Sequence, residues 1–249
     1  MEPKHLKGTV PKGKIYAVDG NRNEINPSKA IFPILKENSL GNFHLIGTGF
    51  FITDSGIFVT AKHVLLDVID KNGVQTHPIF LMQFLGDGYI KRLILRCTSH
   101  EVADITVGIS APMNHNRSGL PLKNKLLELT PSIPHIGQRV YTYAYPNNEI
   151  KHGKIQEIYL YPDFFDGSIQ KIYQNGRDSV MLPGACVQTS MFIHGGASGG
   201  PVFDSSGKVF GVNSTGFEDD DLSYISELLI TFCEVSQEVE SVFVATNHH

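Results

Sequence analysis

From residue 30 onward, turn residues cut the chain into short apolar segments, and this rhythm limits the fold more than any other feature. "AIFPIL" (30–35), "NFHLIGTGFFIT", "GIFVTAKHVL", "PIFLMQFL", "YIKRLILRC" and "DITVGI" are rich in β-branched and aromatic residues, with Gly, Asp, Asn or Ser between them. Runs of this length and composition read as strands, and "LGDGY" between two of them is a tight-hairpin signal. The class is therefore all-β, an antiparallel sandwich or barrel. From residue 111, "APMNHNRSGLPLKNKLLELTPSIPH" carries four prolines, the composition of a crossing linker with one short strand in it.

A second group of strands follows: "QRVYTYAYP", "HGKIQEIYLY", "SVMLPGACVQTSMFI" and "PVFDSSGKVFGVNSTGF". In "SYISELLITFCEV" and the leucine before it, Leu222, Ile225, Leu228, Leu229 and Phe232 fall at nearly helical spacing, which leaves a short C-terminal helix and a strand equally open. No internal repeat marks a solenoid. The expected layout is an irregular arm over 1–28, a first β body over 29–115, a linker over 116–133, a second β body over 134–234 and a tail over 235–249. The closing "NHH" reads as the remnant of a tag, so His248 and His249 are left out of the site argument.

Composition excludes several functions. A net charge of −4 with scattered lysines argues against nucleic acid and anionic membrane as partners. No apolar run approaches the roughly 20 residues of a membrane-spanning helix, and "MEPKHLKGTVPKGK" lacks the apolar centre of a secretory signal. The expected location is cytoplasmic. Cys97, Cys186 and Cys233 form an odd set without ligand-like spacing, so neither a disulfide framework nor a structural zinc site is expected.

Three segments can carry chemistry: "VTAKHVLL" with His63, "EVADITVGI" with Asp104 and "GGASGGPVF" with Ser198. A serine hydroxyl is a weak nucleophile near neutral pH. It needs an imidazole to take its proton and a buried carboxylate to orient that imidazole. Each residue alone has a plainer explanation: a surface histidine among eleven, a turn aspartate, a serine in a glycine bend. Together they make a constellation. Asp104 stands just before an apolar run, where a carboxylate becomes buried and needs hydrogen-bond partners. The glycines flanking Ser198 allow positive φ and inward-facing N–H groups.

These segments resemble the trypsin-like, chymotrypsin-fold serine proteases. "GTGFFITDSGIFVTAKHV" is similar to that family's histidine segment, "ADITVGI" to its aspartate segment and "GGASGGPVF" to its GxSGGP nucleophile motif. The order His63, Asp104, Ser198 is the family's, with separations of 41 and 94 residues. "IGQRVYTYAYP" resembles the strand opening the family's second barrel, and "GKVFGVNSTG" its substrate-pairing strand. The likeness spans roughly residues 29 to 230.

The resemblance implies two six-stranded antiparallel Greek-key barrels with the active site between them. It implies a serine endopeptidase working through an acyl-enzyme on protein or peptide substrates, with no cofactor and no metal. Ser198 would be nucleophile, His63 general base and acid, and Asp104 the orienting carboxylate. Gly196 and Ser198 N–H groups would form the oxyanion hole. Phe192, Ile193, Asn213, Ser214, Thr215 and Gly216 would bind substrate, the last three by strand pairing.

The sequence departs from the secreted digestive members in three places. Val64 stands where they carry cysteine, Ala197 where they carry the aspartate that pairs with a newly cut N-terminus, and Phe192 where trypsin has its pocket aspartate. The pattern therefore resembles the intracellular and bacterial branch that needs no activating cut, and implies an uncharged residue at the cleavage position. The acidic run Glu218 to Asp221 is expected to be a solvated loop near the cleft, the alternative being that it favours basic substrate residues nearby. The alternative reading is a protease-fold binding or scaffold module, inactive or gated by a regulatory partner protein. A metal hydrolase through "HEVAD" fails for want of a second histidine, Asp104 standing in its place.

Overall fold

The computed structural model describes residues 17–233 apart from 20–21, 71–73, 86–87, 115–117, 147, 152, 154–155, 218–221 and 229–231. The acidic run 218–221, the residues before 17 and the tail after 233 thus lie outside the described residues.

The first group of segments forms β3 (Ile31–Glu37), β4 (Phe43–Phe51), β5 (Ile57–Thr60), β6 (Ile79–Leu85), β7 (Gly88–Ser99) and β8 (Thr106–Ser110), after a two-stranded ribbon of β1 (Ala17–Val18) and β2 (Glu24–Ile25). These six close into a barrel in the order β3-β4-β5-β8-β7-β6, every pair antiparallel. Strand β6 shows why. Ile79, Leu81 and Gln83 are buried while Phe80, Met82 and Phe84 are not, the two-residue alternation of a sheet with one face on a core. Its hairpin to β7 pairs Leu85 with Gly88, as "LGDGY" predicts.

The second group gives β9 (Arg139–Ala144), the hairpin β10 (Glu149–Lys151) and β11 (Glu157–Tyr159), then β12 (Asp163–Tyr173), β13 (Cys186–Thr189), β14 (Pro201–Phe203), β15 (Val209–Phe217) and β16 (Leu222–Glu227). Six of these close a second antiparallel barrel, β12-β13-β16-β15-β14-β9. The protein is all-β with two closed six-stranded barrels. A closed barrel leaves no open sheet edge, which removes the usual route to strand-to-strand aggregation.

The C-terminal ambiguity resolves in two parts: 222–227 is strand, and Phe232–Cys233 has helical backbone. Over 222–227 strand pairing with β13 and β15 overrides the near-helical spacing. Within the stretch expected to be irregular, β1 is tied down. Val18 N–H donates to Gly207 O at 3.1 Å, and Glu128 N–H donates to Val18 O at 2.9 Å. The ribbon therefore joins the linker to the second barrel.

The cores are mainly apolar, and the first barrel also holds a buried cation. Phe32, Phe51 and Phe58 pack edge-on or tilted inside the first barrel. Near them Arg92, 3% exposed, donates to Gln83 Oε1 and Asn124 Oδ1 at 2.6 Å each and to Ala111 O at 2.7 Å. Burial pulls its guanidinium down to about 10. Neutral oxygens surround this cation and fasten the linker residue Asn124 to the barrel.

The barrels meet along β4. Thr48 N–H donates to Ser198 O at 2.8 Å and Thr48 Oγ1 donates to Gly196 O at 2.9 Å, while Gln156 makes paired bonds with the Phe43 main chain. All the candidate chemistry lies along this seam.

Candidate active site

His63 sits on α1 (Lys62–Leu65), a single turn that begins when β5 ends. The turn leaves Val64 and Leu65 buried against the first core, so His63 faces outward with a side chain 40% exposed. Asp104 ends the loop from β7 to β8 and is 8% exposed. Its carboxylate has three partners. Oδ1 accepts from His63 main-chain N–H at 2.9 Å, Oδ2 meets His63 Nδ1 at 2.8 Å, and Oδ2 also accepts from Ser214 Oγ in a short hydrogen bond. A carboxylate with Nδ1–H as its partner fixes the tautomer that leaves Nε2 free to accept a proton.

Ser198 lies in the turn from β13 to β14. Gly196 has φ +91° and Gly199 φ +86°, a region where only glycine is unstrained. At Gly199 there is no room either, since an added Cβ would lie 2.2 Å from both Thr48 O and Thr60 Oγ1. Main-chain bonds shape the turn: Ala197 N–H to His194 O at 3.3 Å, Gly199 N–H to Asn213 O at 2.8 Å and Gly200 N–H to Ala197 O at 3.0 Å. Among the described residues the N–H groups of Gly196 and Ser198 donate to no main-chain carbonyl. The Ser198 hydroxyl donates to Ser214 O at 3.1 Å, and no hydrogen bond from it to His63 forms among the described residues.

A serine and a histidine from opposite barrels thus face one cavity of about 230 Å³, with the histidine held by a buried carboxylate. A profile of the trypsin-like peptidase domain matches residues 47–212, more than half of the chain and the stretch holding all three residues. The chain belongs to the trypsin-like peptidase domain family.

The solved structures similar to this trypsin-like peptidase chain share its fold at low identity. Deg5 is 18% identical, with 80% of this chain and 84% of that chain covered and a TM-score of 0.56. The active form of the Rv3671c protease from M. tuberculosis is 15% identical, with 81% and 77% covered and a TM-score of 0.56. The serine endoprotease from Yersinia pestis is 20% identical, with 85% and 63% covered and a TM-score of 0.54. No curated protein sequence matches the chain.

Of the substrate-binding residues expected for a trypsin-like peptidase, Ile193, Asn213, Ser214, Thr215 and Gly216 line the cavity with His63 and Ser198. Phe192 does not line it. It is 38% exposed and turns its ring edge-on to His194, with centroids 4.6 Å apart. Sequence reasoning missed Tyr224, which lines the same cavity from β16. It also missed the Ser214 hydroxyl as a partner of Asp104. The signal for Ser214 was present: a hydroxyl pair inside the apolar strand "VFGVNSTG" must find a buried partner.

A second groove of about 430 Å³ also borders His63, lined by Leu66, Val102, Val180, Met181 and Pro183 together with the polar residues Lys62, Glu101 and Thr215. Among the described residues no cluster of three His, Cys, Asp or Glu is placed to hold a metal, and no helix is long and apolar enough to cross a membrane.

Proposed function

We propose that the chain is a serine endopeptidase that cleaves protein or peptide substrates through an acyl-enzyme. The observation that carries this reading is the Asp104 carboxylate, which takes both the Nδ1 and the main-chain N–H of His63 while Ser198 faces the same cavity. A structural ion pair needs no such double hold on one histidine.

In this reading Ser198 gives its proton to His63 Nε2 as its oxygen bonds to the scissile carbonyl carbon. The C–N bond then breaks, and His63 passes the proton to the leaving amine. Water repeats the sequence and frees the acid. Gly196 and Ser198 N–H groups, which make no main-chain bonds among the described residues, hold the developing oxyanion. Each such donor is worth about 3 kcal/mol in the barrier. The substrate pairs with Ser214 to Gly216, and its N–H groups compete for the Ser214 carbonyl that holds the Ser198 hydroxyl at rest. Substrate binding thereby releases the hydroxyl toward His63. The apolar lining of the groove beyond His63 favours apolar side chains on the acyl side of the cut.

Labelling with a fluorophosphonate probe tests the reading. The native chain is expected to label and Ser198→Ala not to label. Absence of Ser198-dependent labelling, alone and with peptide substrates present, would replace the enzyme by a protease-fold scaffold.

A further inference from the structure

We propose that Lys62 and His100 form a two-sided clamp on the loop presenting Asp104, and that this clamp sets how firmly Asp104 holds His63. The inference rests on the peptidase reading, and it names two positioning residues that act through Asp104.

The loop from β7 to β8 is short. It closes through His100 N–H to Ile105 O at 2.9 Å and Ile105 N–H to Ala103 O at 2.8 Å. The main-chain groups between must find partners, since an unpaired polar group near a core is costly. Two side chains supply them. Lys62 Nζ donates to His100 O and to Glu101 O, both at 2.9 Å. His100 Nδ1 accepts from Ala103 N–H at 2.8 Å and from Val102 N–H at 3.2 Å. Four consecutive residues thus have a main-chain group capped, carbonyls on one side and N–H groups on the other, directly before Asp104.

An ordinary surface lysine trails into water. Lys62 is half-buried and spans the gap from α1 to this loop, and an ammonium can satisfy two carbonyls at once as a compact cation. It is also the residue next to His63. The histidine and its carboxylate are therefore joined twice, through their own bonds and through Lys62 to the main chain behind Asp104. On the far side the His100 ring meets Phe232 edge-on at 5.1 Å, next to buried Cys233. The clamp thus has an apolar back wall from the C-terminal segment.

The test uses the full chain and two readouts: fluorophosphonate labelling rate against pH, and the low-field proton resonance of His63 Nδ1–H. Lys62→Met is expected to slow labelling about tenfold, the effect of a small misplacement of a catalytic group. Lys62→Arg, which keeps two donors, restores most of the rate. In an Asp104→Asn background Lys62→Met changes the rate by less than about twofold, because residues acting through one another are not additive. His100→Leu slows labelling at every pH. His100→Asn, whose Oδ1 can accept the same N–H groups, slows it less.

The low-field resonance weakens in Lys62→Met and His100→Leu. Native labelling by Lys62→Met, an equal slowing in the Asp104→Asn background, or an unchanged resonance would each overturn the clamp. A native chain that does not label defeats the peptidase reading alone, and the resonance then decides the clamp by itself.

Discussion

The loop that carries Asp104 and the turn that carries Ser198 must both hold a functional group still, and they differ in how their N–H groups are treated. In the Asp104 loop, side chains cap the main chain: Lys62 takes the carbonyls and His100 the N–H groups. In the Ser198 turn the bonded N–H groups, those of Ala197, Gly199 and Gly200, go to main-chain carbonyls, the side chains of Thr48 and Asn213 reach only carbonyls, Gly196 O and Ala197 O, and Gly199 packs onto Thr48 and Thr60. The difference follows from which group does the chemistry. Asp104 acts through its side chain, so its backbone can be capped freely. Ser198 and Gly196 act partly through their N–H groups in the proposed mechanism, and a cap there would fill the place reserved for the oxyanion. Close packing against β4 is the remaining way to hold such a turn.

The largest expected effect is Gly199→Ala. A Cβ 2.2 Å from two oxygens of the first barrel, on a backbone at φ +86°, should cost about 3 kcal/mol or more in urea unfolding and abolish probe labelling. A Gly199→Ala chain with the native unfolding midpoint would break the packing account. Thr48→Val comes next. It keeps the Thr48 N–H bond to Ser198 O but strips the hydroxyl from Gly196 O and from Tyr145 N–H. About 2 kcal/mol of stability should go, with slower labelling, because buried groups are left unpaired.

Ser214→Ala removes one of three hydrogen bonds to Asp104 while leaving the Ser214 carbonyl in place. About 1 kcal/mol and a moderate fall in labelling rate are expected. Lys62→Met should lose less than about 1 kcal/mol, since water can reach the carbonyls it leaves. A loss as large as that of Gly199→Ala would mean the two loops are held alike.

Glu227 on β16 touches neither loop and gives the smallest effect. Burial raises its carboxyl pKa, so the folded state favours the protonated form. Its contribution to stability is present in acid and lost as pH rises through the folded value. Glu227→Gln should therefore raise the unfolding midpoint slightly at neutral pH and not in acid. A gain that persists in acid would assign the effect to something other than charge burial.

Much of the fold was legible because strands half-buried in a barrel must alternate, as β6 does with Ile79, Leu81 and Gln83 inward. The motif glycines around Ser198 were legible for a similar reason, positive φ being nearly reserved to glycine. Phe192 was misplaced as a cavity residue because counting back from the serine ignores how the loop turns. Its ring goes to His194 instead. Tyr224 was overlooked because its segment read equally as helix, and only pairing with β15 brings it to the cavity. Lys62 looked like an ordinary polar residue beside the histidine. Nothing local says that a lysine's far end will meet carbonyls 38 and 39 residues away.

By itself the sequence determined the all-β class, the strand spacing, and which histidine, aspartate and serine stand in the family's order. Those follow from period, turn chemistry and motif, which are local properties. Only the tertiary structure decided that Ser214 would be the third partner of Asp104, that Thr48 would hold the Ser198 turn, and that the Ser198 hydroxyl would rest on a carbonyl of β15. Each of these contacts joins segments far apart along the chain, and such contacts exist only after two barrels have closed and met along one seam.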